Sequence, residues 1–169
     1  MNKIEALWDK SDYNQDLDFI NFRIDDFWLD EKLDELYPGN LYKGLIPTLD
    51  FCLDRQAEKE IVWKRIIPEE NQIERCPILM CPDDCDFSCT LIVAEIQNYG
   101  TFIQWKKLGI DETKEWDAEM VGTKVNWFKD FPVLNFEKTE YLKMVETFKA
   151  EFEKQKIMEN NENKTKNNH

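Results

Sequence analysis

Hydrophobic positions change their period several times along the chain, and each change marks an element. Residues 1–15 hold no sustained period and read as a short helix or a loosely held lead-in. From Leu17 the apolar residues alternate. Ile20, Phe22 and Ile24 share one face and Leu17, Phe19, Asn21 and Arg23 the other, the pattern of a strand with one face in a core. Asp25 and Asp26 then fit a helix cap and first turn, where carboxylates meet unpaired amides and the positive end of the dipole. Leu29, Leu33 and Leu36 give that helix a buried stripe with Trp28 alongside. Asp30, Glu31, Asp34 and Glu35 cover much of the rest, and Pro38-Gly39-Asn40 stops it.

Residues 42–53 are interrupted by Gly44 and Pro47, yet Leu49, Cys52 and Leu53 have helical spacing, so a short helix is expected there. Asp54 is placed to cap a second helix through Ile67, with Ala57, Ile61, Val62 and Ile66 inward and Pro68 as its stop. Residues 69–75 read as a polar loop. Residues 77–80 are apolar but flanked by prolines, which limits them to an edge strand or an extended segment.

The clearest pattern is a hairpin over residues 89–108. Ile92, Ala94 and Ile96 face one way and Leu91 and Val93 the other, so the first strand is buried on both sides. Asn98-Tyr99-Gly100 supplies the turn, with glycine where a positive φ is needed, and Ile103 and Trp105 lie on one face of the return strand. Residues 113–134 carry large apolar side chains without a period and are expected to wrap the core irregularly or as a short strand. Asn135 can cap a last helix whose stripe is Tyr141, Leu142, Val145, Phe148 and Phe152. From Gln155 the chain is polar and Asn-rich and reads as disordered. The expectation is a single α+β domain over residues 1–154, with a central antiparallel sheet packed by helices, and a tail over 155–169.

Composition sharpens this. With 169 residues, 42% hydrophobic and 13% aromatic, the chain can bury a substantial core without disulfides or metal. Asp and Glu number 35 against 22 Lys and Arg, a formal net charge of -13. Such a surface repels nucleic acid and anionic lipid and attracts basic partners, although acidity can also serve solubility alone. The one histidine, His169, is the last residue, so Ser-His-Asp, Cys-His and His-zinc sites are not expected. The first ten residues are too polar for a signal peptide, and no run approaches the roughly 20 apolar residues of a spanning helix. Five cysteines, an odd number, then point to free thiols in a reducing cytoplasm.

Chemistry concentrates in Cys76-Pro77-Ile78-Leu79-Met80-Cys81-Pro82-Asp83-Asp84-Cys85-Asp86-Phe87-Ser88-Cys89. Cys76, Cys81, Cys85 and Cys89 could together hold zinc in a small interaction module. Structural zinc sites generally draw on two separated pairs, so separately buried thiols flanking a turn are the preferred reading. A catalytic cysteine would lack a neighbouring cation, and three aspartates beside it would oppose the thiolate. Asp83, Asp84 and Asp86 could bind Mg²⁺ or Ca²⁺, or supply paired carboxylates for acid–base work. Aspartates also close turns through their own backbone amides, and that reading is preferred. Asp25, Asp26, Asp30, Glu31, Asp34 and Glu35 around Trp28 form an acidic helix face. Such a run is commonly a solvated surface, and it can also be a docking surface with an aromatic anchor.

The block from Cys81 through Ile96, followed by Ile103-Gln104-Trp105-Lys106-Lys107-Leu108-Gly109-Ile110-Asp111, resembles small bacterial immunity proteins. These accompany the toxins of contact-dependent growth inhibition and related polymorphic systems. Arg23-Ile24-Asp25-Asp26-Phe27-Trp28-Leu29-Asp30 and the helix over 136–148 are compatible with it, so the likeness spans residues 17–152. It implies a non-enzymatic cytoplasmic α+β protein without a cofactor. Its partner would be the C-terminal domain of one cognate toxin, often a nuclease. The likeness carries no functional residue to a position here. The expected interface is therefore the acidic helix face together with Asp83, Asp84 and Asp86.

Overall fold

A computed structural model describes residues 1–10, 18–115 and 117–168. The chain runs through β1 (Ile4–Lys10), β2 (Asp18–Ile24), β3 (Phe27–Trp28), α1 (Leu29–Leu36) and β4 (Ile46–Pro47). It continues with α2 (Gln56–Arg65), β5 (Ile73–Met80), β6 (Leu91–Asn98) and β7 (Phe102–Asp111). A 3-10 turn (Ala118–Met120), β8 (Val125–Trp127), β9 (Leu134–Glu137) and α3 (Lys138–Asn167) complete it. This is an α+β domain.

The described residues form two antiparallel sheets. The larger has the order β4-β5-β6-β7-β8, and β9 also pairs with β7. β7 is long enough to give its outer edge to two partners: β9 takes Phe102 to Trp105 and β8 takes Gly109 to Asp111. Gly109 permits this, because a Cβ there would stand 2.5 Å from the Asn126 carbonyl oxygen. The smaller sheet is β1-β2-β3. A parallel bridge between Asn2 and Phe136 joins the two.

The hairpin is as expected and longer, extending to Asp111. Gly100 takes φ +90, and Asn98 Oδ1 accepts from its amide at 2.8 Å. Leu91 to Ile96 are buried throughout, including Glu95, which pairs across the ladder with Arg75 at 3.2 Å. α2 packs on β5, and α3 packs on β1, β7 and β9. Trp105 is fully buried at the centre. Its Nε1 donates to the Tyr141 hydroxyl at 3.2 Å, which donates to the Ile66 carbonyl at 2.7 Å. One polar chain thus ties the large sheet, α3 and the end of α2, leaving no buried group of that trio unpaired.

Several expectations need correction. Residues 4–10 form a strand, because β2 offers them a full ladder of partners from Ile24 to Asp18. The expected positions 11–17 lie outside the described residues. Residues 42–53 bury Tyr42, Leu45, Leu49 and Leu53 without forming a helix, because Gly44 takes φ +99 and Pro47 lies in β4. Asp54 does not cap α2, whose first turn exposes Ala57 and buries Glu58. β5 starts at Ile73, inside the expected loop, and places Pro77 at a register shift where the ladder tolerates it. Asn135 belongs to β9, and Met144 replaces Leu142 in the buried stripe of α3. The helix itself continues past Gln155 to Asn167, with residues 156–168 exposed. No helix among the described residues is long and apolar enough to cross a membrane.

Candidate functional site

The acids around α1 fall into separate roles. Asp25 and Asp26 occupy the turn between β2 and β3, ahead of the helix they were expected to start. Asp25 sits at φ 51, and its carboxylate accepts from the Lys3 amide and from Asn2 Nδ2, both at 2.8 Å. It ties the chain start to the turn. Asp30 is only 3% exposed and accepts from Asn21 Nδ2 at 3.1 Å and the Gly44 amide at 2.9 Å. Burial raises its pKa, while these two hydrogen bonds oppose the rise. Asp30 is therefore a core group where an outward acid was expected: α1 turns that position towards the 40s segment. Trp28 is half-buried, and the Arg23 guanidinium lies 5.1 Å over its ring, so this chain's own cation covers the expected anchor. Glu35 pairs with Lys32 at 3.5 Å, Asp34 is half-buried, and Asp26 and Glu31 are exposed.

The aspartate turn between β5 and β6 is built differently. The Cys85 amide donates to the Cys81 carbonyl at 3.1 Å, and Cys85 takes φ 48. Asp86 accepts from the Ser88 amide at 2.8 Å and from its hydroxyl, closing the turn as the sequence suggested. Arg55 stands 3.9 Å from the other Asp86 oxygen. Behind it, Glu58 of α2 accepts from the Phe87 amide at 3.2 Å, and burial is the main cause that raises its pKa. With Asp86 engaged, Asp83 and Asp84 are left pointing into solvent.

The four thiols do not converge. Cys76 is fully buried in β5, where its thiol donates to the Pro77 carbonyl at 3.3 Å and burial pushes its pKa up. A four-cysteine zinc site is therefore not assembled, because Cys76 sits inside the sheet core while the other three occupy the loop. Cys85 Sγ turns to the Pro82 carbonyl at 3.2 Å. Cys81 Sγ and Cys89 Sγ meet at 2.6 Å. Among the described residues, these two sulfurs and an Asp84 oxygen are the one cluster of metal-capable atoms, all within 4.8 Å of one another.

The same turn forms one wall of a cavity of about 360 Å³. Pro82 and Cys85 line it together with Trp8, Phe51 and Phe152, and the walls are mainly apolar. Three acids enter the lining, Asp18, Asp50 and Glu151. Asp50 accepts from the Cys52 amide at 2.9 Å, and its pKa is raised chiefly by burial, with Glu151 adding repulsion. Burial, followed by the charge of Asp50, also pushes the Cys52 thiol up. Apolar walls with carboxylates suit a group with an apolar stem and a cationic tip. Asp83 and Asp86 are not in the lining, so they do not form a carboxylate pair in this cavity.

Sequence reasoning missed Trp8, Asp50 and Glu151. The available signal was Trp8 itself, a large aromatic that alternates with Ile4 and Ala6 in the lead-in. No family model matches the chain, and no curated protein and no solved structure matches it.

Proposed function

We propose that this protein is a non-enzymatic immunity protein that binds and neutralises a cognate bacterial toxin domain in the cytoplasm. The observation that carries the reading is an apolar cavity edged by a turn with two solvent-facing aspartates, on a chain of net charge -13. A basic toxin face, such as the substrate-binding face of a nuclease, complements this in charge. A lysine or arginine stem enters beside Trp8 and Phe152, its cation meets Asp50 and Glu151, and Asp83 and Asp84 meet neighbouring cations. The exposed acids near α1 steer the encounter from further away. Binding covers the toxin's active face, in an interface on the order of 1,600 Å² in total. The likeness of residues 17–152 to immunity proteins of contact-dependent growth inhibition supports the same reading.

The test is rescue. Cells expressing the toxin domain encoded beside this gene should grow when this protein is co-expressed. The purified pair should associate with an on-rate that falls as salt rises. Growth arrest despite co-expression, with no complex formed between the purified proteins, would remove the reading.

A further inference from the structure

The loop from β5 to β6 begins on Cys81 and carries Cys89 one residue before its end, and the two sulfurs touch. Their separation of 2.6 Å puts the two sulfurs in direct contact, as a sulfur–sulfur bond between these positions requires. An Asp84 oxygen lies within 4.8 Å of both and completes a set of metal-capable atoms.

The surroundings separate this pair from the other thiols. Cys89 is exposed and Cys81 half-buried, so one sulfur meets solvent and the other stands behind it. Cys85, four residues from each, is turned to the Pro82 carbonyl, and Cys76 is sealed in the core. We propose that Cys89 and Cys81 form a thiol–disulfide exchange site, in which Cys89 reacts with a small-molecule disulfide of the glutathione class and Cys81 resolves the adduct. In the first step the Cys89 thiolate attacks one sulfur of oxidised glutathione. A mixed disulfide forms, and one glutathione thiolate leaves and is protonated by water. In the second step Cys81 gives its proton to solvent and its sulfur attacks Cys89 Sγ. The Cys81–Cys89 bond forms, and the second glutathione departs as its thiolate. The protein dithiol loses two electrons, and one glutathione disulfide becomes two glutathiones. Burial and the adjoining Cys89 raise the Cys81 thiol to about 11, so closure speeds up with rising pH. The bridge ties the two ends of the turn that displays Asp83 and Asp84, and it forms whether or not that turn meets a toxin.

Full-length reduced protein, treated with oxidised glutathione in the presence of a chelator, tests this by alkylation and peptide mapping. Two of the five thiols should be lost, in one cross-linked peptide pair carrying Cys81 and Cys89. Thermal unfolding of the bridged form should shift up by roughly 5–10 °C, as expected for a loop of this size. Cys81→Ser should stop at a stable mixed disulfide on Cys89, and Cys89→Ser should form neither product. A bridge through Cys52 or Cys85, or a wild-type protein that stops at the mixed disulfide, would overturn the proposal. So would purified wild-type protein holding one zinc per chain that both serine variants lose, which makes the cluster a metal site instead. The map of the wild-type protein decides between these even if a variant fails to fold.

Discussion

Two groups of acids look alike as sequence and differ as structure. Around α1, Asp30 is spent holding Gly44 and Asn21, Asp25 holds the chain start, and Glu35 pairs with Lys32. In the β5–β6 turn only Asp86 is spent, closing the turn, and Asp83 and Asp84 remain in solvent beside an apolar cavity. Three of the six acids around α1 are engaged within the fold, Asp30 in the core, against one of the three in the turn. A carboxylate contributes to recognition only when the fold has not already used its lone pairs. Counting acids along a chain does not separate the two cases.

The largest effect that would break this contrast lies at Asp30. Asp30→Ala leaves the buried Gly44 amide without its acceptor and takes from Asn21 one of its two carboxylate partners, the other being Asp9 at 3.1 Å, and should cost about 2–3 kcal/mol in urea unfolding. Asp84→Ala, by the same measurement, should stay within about 0.5 kcal/mol. Equal losses at the two positions would erase the distinction.

Binding should show the reverse order. Asp83→Lys combined with Asp84→Lys should weaken a toxin complex by about ten- to a hundredfold, or about 1.4–2.8 kcal/mol, in low-salt titrations. Asp26→Lys combined with Glu31→Lys should weaken it by less than about fivefold, chiefly through the on-rate. Trp8→Ala should fall between them, because it removes an exposed wall of the cavity.

The smallest test is pH. Asp30, Asp50 and Glu58 all have raised pKa values, with burial as the first cause. Each carboxyl holds its proton more tightly folded than unfolded. Stability should therefore grow as pH falls from neutrality through the raised values, levelling off at the usual carboxylate range, and be lost again as pH rises. Asp50→Asn should flatten part of that slope in urea midpoints taken across the window. An unchanged slope would mean that burial does not raise the Asp50 carboxyl.

The strong periods in the sequence were reliable guides. Residues 89–108, the alternation at Ile20, Phe22 and Ile24, and the stripe through Tyr141, Val145 and Phe148 each bury a whole face, so composition and spacing encode them directly, although β2 also buries Phe19 and Asn21 on the face expected to lie outside the core. What failed was marginal alone and supported from outside. β1 exposes Leu7 and Trp8 and exists through β2 and α3. β4 is two residues long, and the polar start of β5 is held by its cross-strand partners.

The same division applies to the chemistry. Sequence alone determined an acidic chain, an aspartate turn closed by its own side chains, and a doubly buried strand following it. These depend on residue type and on neighbours a few positions away. Only the tertiary structure decided that Asp30 is internal, that Arg23 covers Trp28, and that Cys76 is sealed while Cys81 meets Cys89. It also brought Trp8, Asp50 and Phe152 around one cavity from three distant segments. Those outcomes depend on which lone pairs, ring faces and sulfurs are left over once the two sheets and α3 have packed, and local sequence does not specify that remainder.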